Sequence, residues 1–244
     1  MQEGFQKRNY REWVKTSDLI TFQATIKETD LQISADKNLK EESLEAIKYY
    51  RKQINDHILL VPEFETSFSP IKCYNETFPL ITSMYEAGKS ANTGPFAAVA
   101  GAMAEYVGKE LLKYSSQVIV ENGGDLFISS KRDRILGIYA GKSILTGKIG
   151  LKIPAYLSPV GVCTSSGTVG HSVSFGKADA VIIVSKDTSL ADSVATATAN
   201  MIQTSKDLEK AIDFAKNINN ITGIVAIIDK DIAIWGKDIE IVKT

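Results

Sequence analysis

The sequence predicts an α+β fold: antiparallel sheets with helices packed on one side. Two observations carry this expectation. Hairpin signals recur along the chain, and stretches of helical spacing separate them, so the pattern is not that of a doubly wound sheet. No short-period repeat or low-complexity linker interrupts it. At 244 residues the chain is long enough for an ample core and reads as one domain over residues 1–244, with residues 70–90 as the place of any subdomain break.

The elements follow in order. Leu19–Ile26 and Thr29–Ser34 read as a hairpin across Lys27-Glu28. Leu44, Ile47, Tyr50, Ile54 and Ile58 then recur at helical spacing with charges between them, and Pro62 stops that helix near Leu60. Residues 61–79, with three prolines and three phenylalanines, read as a surface loop with aromatic anchors. Asn92-Thr93-Gly94-Pro95 predicts a helix entry, with Asn92 or Thr93 near the cap and Pro95 in the first turn. The small residues Ala97, Ala98, Ala100, Gly101, Ala102 and Ala104 would let that helix approach a sheet or ligand closely. Gln117–Glu121 and Leu126–Ser129 flank Asn122-Gly123-Gly124-Asp125, a strong hairpin turn. Two more strands are expected within residues 135–153, and residues 161–174 read as a Gly/Ser/Thr loop. Ala180–Val184 is an apolar run of strand length, leading into a small-residue helix capped by Thr188 or Ser189. A helix over residues 208–218 and a hairpin over residues 223–235, turning at Asp229-Lys230-Asp231, close the fold.

Composition excludes several classes. With 28 basic against 29 acidic residues, the chain has no general attraction to nucleic acid or anionic membranes. The polar start, Met1 to Arg8, lacks the apolar core of a signal peptide, and no stretch reaches membrane-span length. Cys73 and Cys163 are too few for a disulfide framework or a zinc cluster, so a reducing cytoplasm with free thiols is expected.

The most telling segment runs from Leu190 to Asn200. Asp192 and Thr196 stand one helical turn apart on one face, surrounded by small residues. A carboxylate and a hydroxyl at a helix start beside a strand end suit a hard cation such as Mg²⁺ shared with a phosphate. The competing reading is structural: Thr196 and Thr198 bond back to their own helix while Asp192 favours its dipole. Three polar loops could join such a site, at residues 92–96, 121–125 and 163–172, because glycine-rich turns let backbone N–H groups converge on phosphate. None matches a P-loop or a Rossmann fingerprint. His171 lies in the densest of these loops and reads either as a general base or phosphate ligand, or as a donor holding its loop. His57, at a helix end, suits a solvated or dipole-capping role, and Cys163 a small buried hydrophobe.

Taken together, Val120 to Asp125, Cys163 to Ser174 and Ala191-Asp192 to Thr196 resemble the ApbE-like superfamily, whose characterised members are Mg²⁺-dependent FAD:protein FMN transferases. The likeness is strongest to an uncharacterised prokaryotic branch. That branch carries Thr-Asp-Leu (here Thr29-Asp30-Leu31), a G-P-x-A-A-V-A-G-A helix (here Gly94 to Ala102) and a T-S-S-G-T-x-G-H-S loop (here Thr164 to Ser172). The likeness covers about residues 22–235. It implies two related halves with a flavin-nucleotide cleft between them. In that cleft Asp192 and Thr196 would hold Mg²⁺ on the FAD diphosphate. Asn122, Gly123, Gly124 and Asp125, with Thr164, Ser165, Ser166 and Gly167, would shape the nucleotide site. A hydroxyl of an acceptor protein would attack the FMN phosphorus, AMP would depart, and His171 is the candidate to assist.

Departures from the pattern matter. Where the transferases carry H-I-I-D-P-x-T-G, this chain reads His171-Ser172-Val173-Ser174-Phe175-Gly176, and their Lys-Gly pair is replaced by Ala100-Gly101. Two functions of different class therefore stand. One is a cytoplasmic Mg²⁺-dependent enzyme acting on FAD or a related nucleotide diphosphate. The other is a non-catalytic flavin-binding or redox-partner module that has lost transfer chemistry. A third reading is a homo-oligomer whose small-residue helices serve packing alone.

Overall fold

The computed structural model describes residues 16–73, 78–167, 175–237 and 239–244. It is an α+β fold of two antiparallel sheets with helices on one side. The larger sheet has eight strands. Its first half comprises β1 (Ile20–Ile26), β2 (Thr29–Ala35), β3 (Val118–Asn122) and β4 (Asp125–Ser129). Its second half comprises β7 (Val160–Ser165), β8 (Ala180–Ser185), β9 (Ile221–Ile228) and β10 (Asp231–Trp235), lying side by side in that order. Between β2 and β3 run helices α1 (Lys40–Leu60), α2 (Glu63–Thr66), α3 (Pro79–Ala91) and α4 (Val99–Leu111). Between β8 and β9 run α5 (Thr188–Met201) and α6 (Leu208–Lys216). Each half is thus two strands, a helical layer and two strands, and the halves meet where β4 pairs with β7.

The sheet's alternation explains its burial. Val118 and Val120 of β3, Phe127 of β4, Val181 and Ile183 of β8 and Ile224 and Ala226 of β9 turn toward the helices. Their neighbours Ile119, Leu126, Ile128, Ala180, Ile182, Val184, Val225 and Ile227 turn to the opposite face. That face is covered by a second sheet of β5 (Arg134–Gly137), β6 (Ile149–Ile153) and β11 (Glu240–Lys243), ordered β11-β6-β5. Ala180–Val184 is therefore apolar at every position because both of its faces are covered, although its neighbours are antiparallel. Where the second sheet does not reach, alternation returns: Thr21, Gln23 and Thr25 face Ser34, Gln32 and Asp30 across the first hairpin.

Several expectations are corrected. The two strands within residues 135–153 exist, but they leave the main sheet, and β11 joins them as a strand the sequence did not signal. Residues 61–79 are not wholly loop: α2 forms there, and Phe64 is fully buried. Residues 79–91 form α3, so Asn92 ends that helix in the left-handed region, φ 56°, instead of starting the next. Gly94 precedes a turn of 3₁₀ helix, Pro95–Ala98, that runs into α4. Much of the 161–174 segment's first part is strand β7. Finally, α5 is capped by Asp187, which accepts the Leu190 N–H at 2.9 Å, and not by Thr188 or Ser189. His57 sits in the last turn of α1 as expected, but half-buried: its Nε2 lies 2.9 Å from the Tyr85 hydroxyl, Phe64 packs edge-on, and burial pushes its pKa down, favouring the neutral ring.

Candidate functional site

The seam between the halves gathers the polar loops. The β3–β4 turn suits its two glycines because both adopt positive φ, 67° at Gly123 and 111° at Gly124, and the second angle is the one that side-chain-bearing residues rarely take. This tight turn is held inward. Asn122 Nδ2 donates to the Ala100 carbonyl at 3.1 Å, and the Gly124 N–H donates to Glu121 at 2.9 Å. Asp125 is buried and accepts the Thr164 N–H at 3.2 Å, joining the turn to the end of β7. Beyond Thr164 and Ser165, the Gly167 N–H donates to the Ala178 carbonyl at 2.8 Å and Ser166 Oγ reaches the same carbonyl at 3.4 Å, fixing the strand exit.

Asp192 lies against this cluster from α5. Its Oδ2 accepts the Gly101 N–H at 2.8 Å, and the Ala100 N–H also points to the carboxylate. These donors stand where the 3₁₀ turn passes into α4, a place rich in unsatisfied backbone N–H groups. The contact requires glycine at 101, since a Cβ there would lie 2.5 Å from the Thr188 carbonyl oxygen and 2.8 Å from Asp192 Cβ. Burial pushes the Asp192 pKa up to about 7, against the lowering pull of the two N–H groups. Asp125 is also raised, first by burial and then by the charge of Asp192, while hydrogen bonds from Cys163 and Thr164 pull it down. Two buried carboxylates within electrostatic reach form a place that favours a cation.

Thr196, one turn beyond Asp192, is half-buried on the open strip of α5. Asp192 bonds to another helix, and the buried Thr198 hydroxyl has no hydrogen-bond partner among the described residues. The donor set of Asp192 and Thr196 is hard oxygen and fits Mg²⁺, with the remaining ligands to come from phosphate and water. Among the described residues no group of three or more His, Cys, Asp or Glu side chains is arranged to hold a metal. Cys163 is fully buried, its Sγ 3.4 Å from the Thr188 carbonyl, and burial pushes its thiol pKa well up, as for an inert hydrophobe. His171 lies outside the described residues.

Asn122, Gly124, Asp125, Thr164 and Asp192 are thus brought together around the start of α4. The backbone N–H groups of Ala100 and Gly101 were missed from the sequence as partners of Asp192. Gly101, a lone glycine inside an alanine-rich helix, was the signal available.

Two four-stranded halves, joined at a seam where the Asp192 helix meets a glycine turn, define an ApbE-like fold. The flavin transferase ApbE from Vibrio cholerae superposes with a TM-score of 0.59 at 11% identity, covering 90% of this chain and 97% of that one. The ApbE protein from Thermotoga maritima gives 0.54 at 16% identity, covering 90% and 97%. A family model described as AbpE bacteria matches residues 11–233, and the chain belongs to this family. A UPF0280 protein of Methanocaldococcus jannaschii is 40% identical over 225 residues, covering 90% of this chain and 91% of the relative. One of Methanococcus aeolicus is 39% identical over 199 residues, covering 80% of each. Among the described residues no helix is long and apolar enough to cross a membrane.

Proposed function

We propose that the seam binds FAD or a related nucleotide diphosphate together with Mg²⁺, and that FMN transfer to a protein hydroxyl is the reaction it serves. The observation that carries this reading is the meeting of Asp192, the Asn122–Asp125 turn and the end of β7 at the start of α4. The fold shared with a flavin transferase supports it. In this reading Asp192 and Thr196 hold the metal, which when bound supplies positive charge to the diphosphate. The turn at Gly123 and Gly124 and the end of β7 from Thr164 to Gly167, fixed by their own hydrogen bonds, shape the nucleotide site beside the start of α4. The acceptor oxygen forms a bond to the FMN phosphorus, the bond to AMP breaks, and the acceptor's proton passes to His171. Positioning and charge neutralisation supply most of the acceleration.

The module reading keeps the ligand and drops the transfer. What favours it is the replacement of the transferases' motif after the histidine by Ser172-Val173-Ser174-Phe175-Gly176. One titration separates the two. EDTA-stripped protein is titrated with FAD, with and without Mg²⁺, following flavin fluorescence, and AMP release is then measured with a hydroxyl-bearing acceptor protein present. Metal-dependent binding with AMP release supports the enzyme; metal-dependent binding without it supports the module. Asp192→Asn is expected to abolish the metal dependence with the fold intact. An unchanged Mg²⁺ effect in that variant overturns the metal assignment.

A further inference from the structure

Phe68 and Phe175 come from distant parts of the chain, stand 68% and 62% exposed, and meet each other, with ring centroids 5.9 Å apart and planes at 73°. Both are held by their backbones. The segment carrying Phe68 presses on the entrance to α4: a Cβ on Gly94 would lie 1.7 Å from the Ser67 carbonyl oxygen and 3.4 Å from Phe68 Cα. Phe175 is tied to α5. Its N–H donates to Asn200 Oδ1 at 2.9 Å, and its carbonyl accepts from Gln203 Nε2 at 2.7 Å. Next to it, a Cβ on Gly176 would lie 1.9 Å from the Ala199 carbonyl oxygen. The pair therefore joins the two elements that build the site, the α4 entrance and α5.

Helix α5 supplies the direction. Every residue of it is buried except Thr196, Ala197, Asn200 and Met201, so its open side is confined to its last two turns. Asp192, Thr196 and Asn200 follow one another a turn at a time, and Asn200 lies about 12 Å along the axis from Asp192. This open side begins at Thr196, one turn beyond the buried Asp192, and ends at Asn200, which holds Phe175. An edge-to-face pair leaves a broad π-face to solvent, and such a face stacks flat heteroaromatic rings.

We propose that Phe68 and Phe175 form a ledge on which the isoalloxazine ring of the ligand stacks while its diphosphate sits at Asp192 and Thr196. The inference rests on the nucleotide-binding reading above. The span selects the ring: the open-chain ribityl arm of a flavin reaches further from the diphosphate than the closed ribose of an adenosine.

The test measures FAD, FMN and ADP affinity in the presence of Mg²⁺ for the wild type and for Phe68→Ala, Phe175→Ala, Phe68→Leu and Phe175→Leu. Each alanine variant is expected to weaken FAD and FMN by roughly tenfold and leave ADP unchanged, with the visible absorption band of bound flavin relaxing toward its free form. The leucine variants, which keep apolar bulk without a π-face, are expected to behave like alanine. Unchanged melting temperatures are expected, because both rings are exposed. Equal losses for ADP and FAD, or full affinity in the leucine variants, overturn the ledge. If the wild type binds FAD with Mg²⁺ and all four variants match it, only the ledge falls. If the wild type binds neither FAD nor ADP, the nucleotide reading falls and the ledge with it.

Discussion

Replacing Gly101 by alanine tests the join between the two halves. A Cβ at 101 would sit 2.5 Å from the Thr188 carbonyl oxygen, so the backbones of α4 and α5 have to separate by about 0.9 Å before that contact becomes ordinary. Movement of that size along the Gly101–Asp192 direction stretches a 2.8 Å hydrogen bond beyond useful length. Overpacking of this kind costs about 1–3 kcal/mol, and losing a bond to a buried carboxylate adds about 1–2 kcal/mol. Helix propensity returns about 1 kcal/mol, because alanine is the better helix former. The expected net destabilisation is about 1–4 kcal/mol, or roughly 2–16 °C in melting temperature for a chain of this size. Urea unfolding followed by circular dichroism, with a thermal scan beside it, measures both. A Gly101→Ala protein as stable as the wild type, or more stable by the propensity term alone, would refute the close approach of α4 to α5.

Asp187→Ala removes the α5 cap and is expected to lower stability by about 1 kcal/mol in the same urea assay; no change would mean that the Glu105 bond to the Thr188 N–H suffices. Asp36 has its pKa drawn down to about 2, chiefly by the Ser116 hydroxyl and then by the Ser116 N–H, Gln117 and Ser115, against burial. The unfolded carboxylate takes its proton first, so this stabilisation is full above about pH 4 and is lost as pH falls toward 2. Acid unfolding of Asp36→Asn should therefore be shallower than wild type across that window, with parallel curves counting against the assignment.

Local signals read well and distant ones did not. Asn122-Gly123-Gly124-Asp125 announced its turn because both central residues take positive φ, which glycine adopts most readily. Helix α1 was legible because its apolar residues recur at one face beside a terminating proline. Helix α3 was missed although Leu80, Ile81, Met84, Tyr85, Ala87, Gly88 and Ala91 line its buried face and Pro79 opens it. The small residues among them blurred the contrast between faces. The cap of α5 could not be chosen by type, because Asp187, Thr188 and Ser189 are all capping residues. Strand periodicity places a residue on a face but does not say which sheet receives it, so β5 and β6 were found without their separate sheet. The Asp192–Gly101 bond spans 91 residues, and nothing local to either end encodes it.

The small sheet has a consequence for anyone handling the protein. β5 and β6 belong to the linker between the halves, β11 comes from the far end of the chain, and together they cover residues of β3, β4, β7, β8 and β9. The β4–β7 seam itself is short, with three rows of pairing from Leu126↔Val162 to Ile128↔Val160. The sheet thus acts as a clasp across the back of that short seam. Trimming or crowding residues 240–243 would strip Ile241 from the cluster that backs the seam, so damage at β11 would weaken the join of the two halves from the face opposite Asp192.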